Sequence, residues 1–247
     1  MVSYIYTMNE TIRLLKQLET YPTFTLQTVA SLLHKDRFYT KLYLNRLVKN
    51  HMIHHLQRNT YTVIDDPLII ASRITWPSYI SLWAALRYHN LTDQTPHIIS
   101  VMTTRSKSRK HIEFNNTTIT FERIHPSTFF GFEKTKVNSY EVFIAEPEKA
   151  LIDAVLLKKI SVTEIYSILK EHLAELSIET LIAYILRTQN GAVAKRFGWM
   201  LDSLNCHQTT KLEKLVYKTR IPLDYTRPLI HTNDTKWGVD TNIGGRA

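Results

Sequence analysis

The stretch between Thr25 and Ile64 restricts the fold of this chain more than any other. From residue 26 to residue 33 the apolar side chains recur at helical spacing. Val29, Leu32 and Leu33 share one face, and Thr25 stands where an N-cap hydroxyl accepts an orphan N–H. His34-Lys35-Asp36 reads as a turn, and Asp36 is placed to cap a second, longer helix over residues 37–50. Residues 53–56 and 61–64 then read as two short strands joined by a tight turn at 57–60.

The second helix decides what this arrangement is for. At about 100° per residue, Thr40, Leu44, Leu47, Val48 and His51 fall on one side and should pack inward. Phe38, Tyr39, Leu42, Asn45 and Arg46 point the other way. Such a face offers donors for base edges, partners for phosphates and apolar contacts for thymine methyls. Helix, turn, helix and two strands make a winged helix-turn-helix, and double-stranded DNA is its expected partner. The expected contacts are Lys35, Arg37, Tyr39, Lys41, Leu42, Tyr43, Asn45, Arg46, Arg58 and Asn59, with Arg58 at the wing tip. Charge agrees in sign. The formal charge of +9 is concentrated, because residues 1–64 hold eight Lys/Arg against three Asp/Glu.

The rest of the chain predicts an α+β fold. Thr7 and Glu10 match a capping box that would open a first helix ending near Glu19. This gives a DNA-binding domain over residues 1–64. Residues 65–77, with Asp65-Asp66-Pro67, a short helical stretch over 67–73 and then Thr75-Trp76-Pro77, read as a linker to a second domain. Ser78 is read as the cap of a helix to about His89, and Asn90 suits a left-handed C-terminal position. Period-two patterns at 97–104, 112–114, 117–124 and 140–145 read as strands, with Asn115-Asn116 as a hairpin turn. Residues 105–110 carry four basic side chains, Arg105, Lys107, Arg109 and Lys110. They form either a solvated loop or a second phosphate contact. Glu146-Pro147-Glu148 starts a helix to about Lys158. A mixed α/β core over 78–158 is thus followed by a helical part over 159–247. The helices are expected at 163–173, 178–188, 192–204 and 210–219, and Trp237 anchors an irregular end.

Cys206 is the single cysteine, so no intrachain disulfide forms, and a reducing, cytoplasmic location is expected. The first residues do not read as a signal peptide, and no apolar run reaches a membrane span, so no membrane partner is expected. No D-x-D pair, glycine-rich dinucleotide loop or P-loop occurs. His51, His54 and His55 lack the cysteines and geometry of a metal site, since strand neighbours 54 and 55 face opposite ways. Cys206-His207 lacks an orienting acid, and Glu146 and Glu148 read as helix-start residues. The expectation is a non-enzyme without metal or cofactor.

Four stretches resemble a known family. The run from Ser81 to Pro96, SLWAALRYHNLTDQTP, leads into a strand and a basic loop. Residues 145–153 read AEPEKALID, residues 195–201 KRFGWML, and residues 236–239 KWGV. In this order they resemble the AbiEi family of antitoxins and transcriptional regulators from type IV toxin–antitoxin systems. The resemblance implies an N-terminal winged helix that binds repeats upstream of its own operon. It also implies a C-terminal antitoxin domain that opposes a nucleotidyltransferase-like toxin without a stable complex. The chain departs from the family pattern at Asn90, at His51 and at Arg58-Asn59, where glycine is usual. Alternatively, the chain is a winged-helix regulator or adaptor that binds RNA or a protein and has no antitoxin activity.

Overall fold

The computed structural model describes residues 2–243, apart from the side chains of residues 2–8 and 207. Helix α1 covers Val2–Leu18. The capping box expected to open it falls inside it, because nothing in residues 2–6 breaks a helix; the side chain of Thr7 lies outside the described residues. Helix α2, Leu26–Leu33, starts at Thr25, whose hydroxyl accepts from the Thr28 N–H while Thr28 Oγ1 accepts from the Thr25 N–H. Helix α3, Arg37–Lys49, is capped by Asp36, which accepts from the N–H groups of Phe38 and Tyr39 at 2.8 and 2.9 Å. It ends in a Schellman motif: Met52 N–H bonds to the Leu47 carbonyl, and His51 N–H to that of Val48. His51 therefore takes the left-handed conformation (φ 56°) that glycine adopts without steric cost. Strands β1, His54–Gln57, and β2, Thr60–Thr62, form an antiparallel hairpin, and Phe24 bridges to Tyr61 beside it.

Leu14, Leu18, Phe24, Val29, Leu44, Leu47 and Ile53 close the core of this N-terminal unit. Residues 65–77, expected as a linker, are packed instead. Helix α4, Pro67–Ala71, buries Ile69, Ile70 and Ala71, and Ile74 is buried beyond it. These side chains join Leu56 and Ile64 of the hairpin region on one face of a six-stranded sheet. The hairpin is thus part of the junction between the N-terminal unit and the sheet. His54 Nε2 lies 2.8 Å from Asp65 Oδ1, its ring meets the Phe114 ring edge-on, and Asn115 Nδ2 donates to the Asp65 carbonyl. On the far edge, the Tyr140 hydroxyl donates to the Glu19 carbonyl.

The sheet is mixed. Strand β3 is Ser78–Ser81, where a helix was expected. Helix α5, Leu82–Tyr88, follows, and then β4, Ile98–Thr103; β5, His111–Phe114; β6, Thr117–Arg123; β7, Phe132–Val137; and β8, Tyr140–Ala145. The spatial order is β5-β6-β4-β3-β8-β7, with β4–β6 and β3–β8 parallel and the other pairs antiparallel. All four residues of β3 are buried, so it shows no alternation; the Ser78 hydroxyl donates to the nearby Thr75 carbonyl and the Ser81 hydroxyl to Asp153 across the fold. Strand β7 escapes sequence reading for the opposite reason: it is an edge strand that carries Glu133, Lys134 and Lys136. Asn115 and Asn116 both take positive φ in the β5–β6 turn, and Asn90 does so after α5.

The opposite face of the sheet is covered by helices. These are α6, Pro147–Leu156; α7, Val162–Glu171; α8, Ile178–Thr188; and α9, Gly191–Ser203. The helix expected at 210–219 is a 3₁₀ segment, His207–Leu215. Strands β9, Ile221–Pro222; β10, Asn233–Asp234; and β11, Val239–Asp240, make a small sheet in order β10-β11-β9. Among the described residues no helix is long and apolar enough to cross a membrane.

Candidate nucleic-acid interface

Asp36 fixes the start of α3, and Leu44, Leu47 and Thr40 fix its rotation by being buried. The opposite side is left bare. Phe38 is 74% exposed, Tyr39 45% and Leu42 46%, and Arg37, Lys41, Asn45 and Arg46 are exposed around them. A phenyl ring that far out of the core leaves apolar surface in water, which folding alone does not favour. Among the described residues, Lys35, Arg37, Lys41, Arg46 and Arg58 form no ion pair with an acid. The face therefore presents unneutralised cations beside aromatic and aliphatic side chains. Chemically it can neutralise phosphates, hydrogen-bond base edges and pack on methyl groups.

The structure sorts the expected contacts. Tyr39 stacks on Tyr43 with ring centroids 6.1 Å apart, and Lys35 Nζ stands 5.7 Å from the Tyr39 ring. Tyr43 is half-buried and shares a 2.7 Å hydrogen bond with Thr11 of α1, so it supports the face from behind. Asn59 also holds structure. It takes φ 55° in the hairpin turn, and its Oδ1 accepts the Leu26 N–H at 3.0 Å, at the start of α2. Arg58 stands exposed beside it at the tip. A groove of about 390 Å³ between α1, the end of α2 and α3 brings Arg13 and Gln17 next to Lys35 and Tyr39. The sequence reading missed Arg13, because α1 was read only for its buried stripe.

The 105–110 loop behaves differently from the α3 face. Arg105, Lys107 and Lys110 line a cavity together with Arg123, which the sequence did not single out, whereas Arg109 does not line it. Among the described residues no three His, Cys, Asp or Glu side chains come together as a metal site would require. His54 faces Asp65, while His55 lies against Tyr61. Burial pushes the Cys206 thiol up, and the His207 side chain lies outside the described residues.

The acidic residues at the start of α6 have specific partners beyond the helix end. Glu146 accepts from the Tyr184 hydroxyl at 2.6 Å, and Glu148 accepts from the Ser177 N–H at 2.7 Å. Desolvation and the neighbouring Glu146 push the Tyr184 hydroxyl up to about 12. Lys149 and Asp153, one turn apart, form an ion pair with no solvent exposure. Lys149 Nζ donates to the Tyr79 hydroxyl at 2.8 Å, and that hydroxyl and the Ser81 hydroxyl both donate to Asp153. Burial drives the Lys149 ammonium down and the Tyr79 phenol well up, the latter reinforced by Asp153. With both members of the ion pair closed to solvent, this group joins β3 to α6.

Residues 195–201 and 236–239 meet as one unit. Trp237 lies flat on α9 at Gly198, and its Nε1 donates to Asp202 at 2.8 Å. Lys236 also donates to Asp202, whose carboxyl is partly desolvated yet held below its usual range by Lys236, Thr209 and Trp237. Lys195 Nζ donates to the Thr219 carbonyl, and Arg196 to those of Leu223 and Pro222. No protein-family model and no curated protein matches the chain.

Proposed function

We propose that this protein is a cytoplasmic, sequence-specific DNA-binding regulator built on an N-terminal winged helix-turn-helix. In this reading α3 enters the major groove and the β1–β2 tip lies along the backbone. Its target is its own promoter, read as inverted repeats. The observation that carries the reading is the outward face of α3, where exposed Phe38, Tyr39 and Leu42 stand among exposed Arg37, Lys41 and Arg46, which form no ion pair among the described residues. Arg46 then contributes to sequence choice, because a guanidinium in the groove can bond two acceptors of guanine. Arg58, at the hairpin tip, contributes to affinity through phosphate alone. Binding of Arg46→Ala and Arg58→Ala to operator and scrambled duplexes tests this over a range of salt. Arg46→Ala should narrow the operator preference by about five- to a hundredfold. Arg58→Ala should weaken both duplexes alike and make the salt slope shallower by about one. No duplex affinity in the wild type at low salt would defeat the reading and favour an RNA or protein partner.

The second part of the proposal rests on the resemblance to the AbiEi antitoxins. Residues 78–247 would oppose a nucleotidyltransferase-like toxin without a catalytic step, a cofactor or a stable complex. The antitoxin role should be separable from the α3 face. Co-expression of the full chain carrying Arg46→Ala and Lys41→Ala with a toxin encoded beside its gene should still rescue growth. If the intact wild-type chain fails to rescue, the antitoxin role is wrong, and the DNA-binding role stands on its own test.

A further inference from the structure

The basic loop belongs to a cavity of its own. Strands β4 and β6 run parallel with Thr103 opposite Arg123, so the chain leaving β4 passes over the end of β6 before returning as β5. Both ends of that loop are tied down. The Arg105 N–H donates to Thr103 Oγ1, and the Phe121 N–H donates to the Lys110 carbonyl at 2.8 Å. The cavity is open to solvent on one side and has a volume of about 290 Å³, close to the lower limit of small-molecule pockets. The Phe121 ring lines it, with Lys107 Nζ 4.0 Å from the ring centroid. This lies at the other end of the β5–β6 pair from the Asn115 turn that touches Asp65. The separation along seven-residue β6 is about 20 Å at roughly 3.3 Å per residue.

Arg105, Lys107, Lys110 and Arg123 converge on this volume, and among the described residues none of them forms an ion pair. The one acid on the wall, Glu122, is already paired with Lys159 at 2.7 Å. Like charges so gathered repel each other, and a bound anion removes that cost. A duplex backbone presents single phosphates, each with one charge, spaced along a strand. Several linked phosphates deliver several charges into one concave volume, which matches four convergent cations better. We propose that this cavity binds a linked di- or triphosphate group, either free or as the phosphate end of a nucleotide. Partial burial lowers the Lys107 ammonium from its ordinary range, and a bound anion would act in the opposite direction.

The test is calorimetric titration of the full chain with sodium tripolyphosphate, ATP and orthophosphate at low ionic strength. Tripolyphosphate should bind one to one, and roughly tenfold or more tighter than orthophosphate. Arg123→Gln and Lys110→Gln, both exposed positions, should each weaken it by roughly tenfold while leaving the circular dichroism unchanged. Equal affinities for tripolyphosphate and ATP would identify the phosphate chain as the ligand; tighter ATP binding would identify a nucleotide. The proposal fails if tripolyphosphate does not saturate the protein, or if both variants bind it as the wild type does. It also fails if the variants lose affinity only for duplex DNA, which would make the cavity a backbone contact. None of these outcomes bears on α3.

Discussion

Replacing Lys149 by methionine should lower the unfolding free energy by about 3–5 kcal/mol, the usual cost of leaving a buried charge without its partner. Methionine has similar length and fills much of the same space, so packing loss is a minor part of the effect. What remains is the Asp153 carboxylate, fully buried, which among the described residues then accepts from the Tyr79 and Ser81 hydroxyls alone. The effect should be strongly non-additive. In Lys149→Met with Asp153→Leu the orphaned charge is gone, and a good part of the lost stability should return. Urea unfolding of the two single variants and the double variant, followed by circular dichroism, measures this. If the double variant is less stable than the wild type by the sum of the two single losses, the pair is not a coupled unit.

Trp237→Ala should cost about 3–5 kcal/mol, because it removes a nearly fully buried indole from between α9 and the small C-terminal sheet. Gly198→Ala tests the same contact from the other side, and its sign is informative. In an open helix the change would stabilise by about 1 kcal/mol. Here a Cβ at Gly198 would stand 2.3 Å from the Trp237 ring, and the indole is also held by its bond to Asp202. Gly198→Ala should therefore destabilise by about 1–3 kcal/mol, the usual cost of overpacking. In the Trp237→Ala background the obstacle is absent, so the same substitution should become neutral or stabilising. Thermal unfolding of the four proteins decides it. A penalty at Gly198 that persists without the tryptophan would show that the helix tolerates no side chain there for some other reason.

Much of this chain was legible because local rules and the fold agree. Asp36 and Thr25 cap the helices they precede, and the 3–4 spacing of Thr40, Leu44 and Leu47 sets which side of α3 is buried. Capping and periodicity act over a few residues, so sequence alone determines them. The outward set of Phe38, Tyr39, Leu42, Asn45 and Arg46 follows from the same spacing. Strand β8 and helix α8 likewise have the expected bounds, since each joins a clear period to a clear boundary.

Tertiary structure decided the rest. Strand β3 is buried on both faces and so shows no period, and it exists because β4 and β8 flank it and Asp153 accepts from Ser81. Residues 65–77 look like a linker until Ile69, Ile70 and Ile74 find the sheet face. Asn59 looks like a tip contact until its amide oxygen meets Leu26, far away in sequence. Arg123 joins Arg105, Lys107 and Lys110 only because parallel pairing of β4 and β6 brings strand ends together. Each of these depends on contacts between residues distant along the chain, and no local propensity encodes which distant residue will arrive.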